Sequence, residues 1–147
     1  MKHPQTLAEQ LYGMFPCEEL KNIKNYACLS FVVMWCLGIE PDDIGAIMEV
    51  QKMINAKVIE SDCTVLWANI VPFLTGRTLK SVEFEKIKVL KGIKDRTPVR
   101  YDYNGKSHWV GVENGKIAFN PLLYSVCVEK GKPAEKRVLT ISGAKKA

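Results

Sequence analysis

Helices first and an antiparallel sheet afterwards: this 147-residue chain reads as an α+β protein. Three observations predict it. Capping and stop signals bracket the apolar runs of the first half. From Ser81 onward the pattern alternates and fills with β-formers. Two near-copies of a turn, Tyr103-Asn104-Gly105-Lys106 and Glu113-Asn114-Gly115-Lys116, separate β-prone runs, and Asn-Gly in that setting is the strongest short-range hairpin signal. The length suits a single domain over 1–147 with its own core, ending in a disordered tail over 142–147.

The elements follow in order. Thr6 and Glu9 have capping-box spacing, which predicts a helix over about 7–15. The polar stretch 17–24 reads as a loop or a single helical turn. Asn25 can cap the next helix, which carries Cys28 in its first turn and stops near Gly38. Pro41 suits the first turn of another helix, with Asp42 and Asp43 favourable to its dipole, reaching Ala56. Ser61 or Asp62 caps a further helix through Trp67 to Leu74, ended by Gly76. Val82-Glu83-Phe84-Glu85 alternates as a strand. The Asn-Gly turns then predict a meander over 98–103, 107–113 and 116–119, and a last strand over 137–141 returns to the sheet.

Composition narrows the function classes. A hydrophobic fraction of 47% and a charged fraction of 25% are ordinary for a soluble globular protein. The net charge of +5 comes from lysines spread over 21–24, 86–94 and 130–146, which read as solvated faces. No arginine block or interleaved aromatic and basic pattern points to nucleic acid. The five cysteines are odd in number and form no CxxC pair, which argues against structural zinc and against a thioredoxin-like site. Free thiols in apolar surroundings suit a reducing compartment, so the expected location is cytoplasmic. The segment Met1-Lys2-His3-Pro4-Gln5 lacks the apolar core of a secretory signal. The longest apolar stretch, 27–39, falls short of the roughly 20 residues a membrane span needs. Nothing in the sequence fixes an oligomeric state.

The chemistry gathers on Cys28, His108 and Asn120, in that order. A thiol at a helix N-terminus, an imidazole on a strand and an amide on the next strand can make a nucleophile, a base and an orienter. The helix N-terminus favours the thiolate at Cys28. Cys63 is the competing thiol, also near an expected helix start, while Cys36, Cys63 and Cys127 read as packing residues. His108 is one of two histidines, and His3 falls in a segment expected to fray. Taken singly, Cys28, His108 and Asn120 also suit packing and turn-forming roles.

Register decides whether the last two meet. A two-residue Asn114-Gly115 loop sets Asn120 opposite Trp109. A three-residue loop, with Gly115 in a G1 bulge, sets His108 opposite Asn120 on one face, with side chains about 5 Å apart. The catalytic reading calls for the second. Beside the thiol, the Cys28 N–H and the side-chain amide of Asn22 are the oxyanion candidates, Asn25 being assigned to capping.

Three segments carry a resemblance: Asn22-Ile-Lys-Asn-Tyr-Ala-Cys28, Ser107-His108-Trp109-Val110-Gly111-Val112 and Ala118-Phe119-Asn120-Pro121-Leu122. Together they resemble the papain-like cysteine peptidases, closest to the bacteriocin-processing branch that cleaves leaders after double glycine. The resemblance spans about two-thirds of the chain, from Asn22 to Leu123. It implies a papain-like fold, with N-terminal helices and the cysteine on a central helix packed against a C-terminal antiparallel sheet. It also implies a thiol hydrolase acting on a peptide or isopeptide bond of a peptide or protein substrate. Cys28, His108 and Asn120 would form the triad, Asn22 would line the oxyanion hole, and no metal or organic cofactor takes part. Two positions depart from the family: Leu29 stands where Gly commonly follows the cysteine, and Asn22 stands in place of Gln. These departures motivate the alternative, an inactive module of the same fold that binds a peptide or protein. A cell-wall amidase of related fold is a third reading.

Overall fold

The chain is described by a computed structural model over residues 1–145. Among the described residues there are six helices and one five-stranded antiparallel sheet, so the α+β class holds.

Helix α1 (Pro4–Met14) begins two residues before the capping-box threonine. Pro4 has no N–H to leave unpaired and its φ suits a first turn, so it starts the helix and leaves Thr6 inside it. Helix α2 (Glu18–Tyr26) occupies the stretch expected to be a loop or a single helical turn. Its polarity hid it, because only Ile23 is buried. Glu18 and Glu19 at its start and Lys24 at its end suit the helix dipole. Asn25 therefore lies in the last turn of α2 and does not cap. Ala27, at φ −84 and ψ 6, serves as the C-cap of α2 and the N-cap of α3 (Cys28–Cys36).

Helix α3 is the central one. Its Phe31, Val32, Val33 and Met34 are fully buried. It ends where Gly38 turns left-handed (φ 77), and Ile39 N–H and Gly38 N–H return to Met34 O and Trp35 O as a Schellman cap. Asp42 caps α4 (Asp43–Asn55) by accepting from Gly45 N–H at 2.7 Å. The segment after it forms a turn, with Asp62 Oδ1 accepting from Thr64 N–H and Cys63 held at φ 68. Helix α5 (Trp67–Thr75) thus starts beyond Ser61 and Asp62, which do not cap it, and stops at left-handed Gly76.

The sheet runs β1 (Arg77–Lys86), β2 (Thr97–Tyr103), β3 (Lys106–Glu113), β4 (Lys116–Phe119) and β5 (Lys132–Lys145), after the short α6 (Val126–Lys130). The spatial order β1-β5-β2-β3-β4 sets the last strand between the first two. β5 reaches beyond the expected 137–141 and includes residues 142–145, which were expected in a disordered tail; 146–147 lie outside the described residues. Pairing with β1, as far as Arg77 opposite Lys145, accounts for that extension.

Both hairpin turns are two-residue loops, with Asn104, Gly105, Asn114 and Gly115 all at positive φ, as type I′ turns require. Alternation along β3 splits its side chains. Trp109 packs toward the helical core, and Gly111 lies so close to Trp35 that a Cβ there would sit 2.4 Å from the ring. Val110 and Val112 join Val99, Tyr101 and Cys127 in a second core on the other face.

Candidate active site

His108 and Asn120 do meet, by a different route from the expected one. The Asn114-Gly115 loop has two residues, with Glu113 opposite Lys116 and Val112 opposite Ile117. Continued unchanged, that register would set Asn120 across from Trp109. Instead Gly111 pairs with Phe119, so Ala118 is an extra residue bulged out of β4. The bulge moves Asn120 by one position, to the face that His108 shares with Val110. The catalytic reading calls for the one-residue shift in a three-residue turn; the turn has two residues, and the shift lies in the strand.

The result is a hydrogen bond of 2.7 Å between His108 Nε2 and Asn120 Oδ1. Asn120 Oδ1 also accepts from Leu122 N–H at 3.0 Å, which identifies that atom as the oxygen. Asn120 is thus turn-former and ring partner through one atom. Because a carbonyl oxygen only accepts, His108 must carry its proton on Nε2, and the Nδ1 lone pair is left to take another. The ring is buried at 4% exposure, and burial holds its pKa below the ordinary histidine value, with the Asn120 bond pulling the other way. The imidazole is therefore neutral at pH 7, in the state a base requires.

Cys28 opens α3 with its thiol buried. Backbone N–H groups of Trp109, Leu29 and Cys28 itself act on the sulfur to lower its pKa. Each favours the thiolate, as a helix N-terminus should. Burial outweighs them, and the nearby Cys127 adds to it, so the thiol pKa is pushed up rather than down. The Trp109 N–H belongs to the peptide unit that follows His108, which sets the thiol beside the strand carrying the base. Among the described residues no hydrogen bond joins the Cys28 sulfur to the His108 ring.

A groove of about 440 Å³ opens over Cys28. Asn25, Tyr26, Leu29, Cys63, Trp67 and Trp109 are among its walls. The Arg137 guanidinium also borders it, lying over the rings of Phe84 at 3.6 Å and Trp109 at 4.9 Å. Leu29, the bulky residue after the cysteine, faces this groove. Cys63 shares it too, but burial, helped by the charges of Asp62 and Cys28, pushes its thiol up to about 12. Cys36 lies at the far end of α3, and burial raises its thiol as well.

The two asparagines upstream of Cys28 have exchanged places relative to expectation. Asn22 Nδ2 donates to Ser61 O at 3.2 Å, and Asn22, like His108 and Asn120, is not among the groove residues. Asn25, released from capping because α2 runs on to Tyr26, lines the groove; its Oδ1 accepts from Lys24 Nζ at 3.0 Å and its NH₂ group is not part of that bond. Asn22 and Asn25 are three apart and share a face of α2, so what separates them is that Asn25 is about one turn closer to the thiol. The Trp109 N–H carries no sequence signal at all.

Among the described residues no group of three or more His, Cys, Asp or Glu side chains could hold a metal, and no helix is long and apolar enough to cross a membrane. Comparison with protein-family models, with curated proteins and with solved structures finds no match.

Proposed function

We propose that the chain is a papain-like thiol hydrolase acting on a peptide or isopeptide bond, with Cys28 as nucleophile, His108 as base and Asn120 as its orienter. The observation that carries the reading is the bond from His108 Nε2–H to an Asn120 oxygen already fixed by Leu122 N–H. It leaves Nδ1 as the basic atom of a neutral ring, as proton removal from a thiol requires.

The electrostatics favour one version of the chemistry. A thiol raised by burial and an imidazole lowered by burial rest as a neutral pair, not as thiolate and imidazolium. Substrate entering the groove would bring the carbonyl carbon to Cys28 Sγ. As the S–C bond forms, the thiol proton passes to His108 Nδ1, and the carbonyl oxygen becomes an oxyanion. The Cys28 N–H and the Asn25 side-chain amide are its donors in this reading, in place of Asn22. Collapse of the tetrahedral intermediate expels the amine, which takes the proton back from His108. Water, deprotonated by the same ring, then releases the acid and restores the thiol.

One observation favours the second reading, a non-catalytic peptide-binding module: Cys28 is buried and makes no hydrogen bond to His108 among the described residues. Alkylation of Cys28 across pH 6 to 10, in the wild type and in His108→Ala, separates the two. The hydrolase reading expects iodoacetamide to label Cys28 faster than Cys36 at pH 7, with the rate falling at least tenfold in His108→Ala. Equal, slow labelling of both cysteines in both proteins would sink it in favour of the binding module.

A further inference from the structure

The residues leading into α1 contact the loop that follows β4. His3 Nδ1–H donates to the Asn120 carbonyl at 3.0 Å. The N–H groups of Gln5 and Thr6 both reach Pro121 O, at 3.0 and 3.4 Å. Leu123 N–H donates to Thr6 Oγ1 at 2.8 Å. The strap is itself anchored, because the Lys2 and His3 N–H groups donate to the Asp43 carboxylate at 2.7 and 3.1 Å. Gln5, only 3% exposed, also reaches the other way. Its Nε2 donates to Lys24 O at 2.8 Å, in the last turn of α2.

Residues 120–125 belong to no helix and no strand. Their backbone groups have no ladder of their own, so bonds from elsewhere must set the loop's position. The first turn of a helix has N–H groups without intrahelical partners, and here two of them close on Pro121 O. The Asn120 backbone is thereby held at its own carbonyl, at the next carbonyl and at the amide of residue 123. With the backbone held, Oδ1 has a fixed place opposite the His108 ring.

We infer that His3, Gln5 and Thr6 are positioning residues: they hold Asn120 where its Oδ1 locks the His108 tautomer, and through Gln5 they tie that loop to the α2–α3 junction beside Cys28. They act through Asn120 and touch no substrate. The effect on turnover rests on the thiol-hydrolase reading; the effect on the ring does not.

The test uses the full chain with His3→Ala and Thr6→Val combined, and Thr6→Ser as the variant that keeps the acceptor oxygen. Nitrogen-15 NMR of the His108 ring reports the tautomer directly. We expect a locked Nε2–H form in the wild type and in Thr6→Ser. In the double variant both ring nitrogens should move toward exchange-averaged shifts. Where a peptide is turned over, kcat should fall about tenfold with KM nearly unchanged. Unchanged His108 shifts in a folded double variant overturn the strap. Should the double variant not fold, Thr6→Val alone, which removes one acceptor atom at nearly constant volume, is judged by the same shifts. A locked wild-type ring that is released in the variants, in a protein with no hydrolase activity, upholds the strap and overturns the hydrolase. Turnover with a ring that stays locked in the variants does the reverse.

Discussion

Replacing Asn120 by alanine removes the acceptor on which the candidate site turns. Its Oδ1 takes two N–H groups, His108 Nε2 at 2.7 Å and Leu122 N at 3.0 Å. His108 is 4% exposed, so its freed Nε2–H has no ready access to water. An unpaired buried donor costs about 1–3 kcal/mol, while the less buried Leu122 amide can turn to solvent for roughly a few tenths. The expected loss of stability is about 2 kcal/mol, or a fall of roughly 1 M in the urea midpoint at an ordinary m-value.

The loss should also depend on pH. Burial holds the folded-state pKa of His108 below the unfolded value of about 6.5, and the Asn120 bond opposes that depression. Above 6.5 the ring is neutral in both states and contributes no slope. As pH falls below 6.5 the unfolded chain takes up the proton first, so stability is lost toward the folded-state pKa. Without Asn120 the folded pKa drops further and the loss at acid pH deepens. Urea unfolding of both proteins at pH 8, 6 and 5 should therefore show a difference that widens toward pH 5. A difference under about 0.5 kcal/mol at pH 8 that stays flat to pH 5 would mean that ring and amide are not paired in solution, and the tautomer argument would go with it.

Two further outcomes test the frame around the site. Gly111→Ala would set a Cβ 2.4 Å from Trp35 Cε3 and 2.5 Å from Cζ3. Trp35 is held between stacked Phe119 and the Arg96 guanidinium, so it cannot yield freely, and an overpacking loss of about 1–3 kcal/mol is expected by chemical denaturation. A wild-type midpoint would show that α3 and β3 are farther apart than described. Asp42→Ala removes the side-chain cap of α4 and should cost about 1 kcal/mol, with Asp42→Asn recovering most of it. Equal losses in both variants would point to charge rather than capping.

Elements with their own local signals were legible in the sequence. Gly38 and Gly76 after α3 and α5, and the two Asn-Gly turns, each act through a few neighbouring residues, so spacing alone reveals them, whereas Pro41, expected in the first turn of α4, lies ahead of its cap Asp42. The polar α2 was not legible, because one buried residue, Ile23, carries its packing and the rest of its pattern resembles a loop. That omission displaced the capping role onto Asn25 and the groove role onto Asn22. Local sequence marks His3 as part of a fraying end, because the partners that hold it, Asp43 and the Asn120 carbonyl, are 40 and 117 residues away along the chain.

The sequence by itself determined the α+β class, the thiol at the head of the central helix, and the adjacency of the strands bearing His108 and Asn120, since these follow from short-range propensity and turn chemistry. Tertiary structure decided the rest. The insertion of β5 between β1 and β2, the Ala118 bulge that turns Asn120 to the histidine's face, and the strap from α1 all rest on contacts between distant segments. So does the charge state of the thiol. Local reasoning supplied the helix N-terminus that favours a thiolate, but the burial that overrides it is a property of everything packed around Cys28, and no window of sequence contains that.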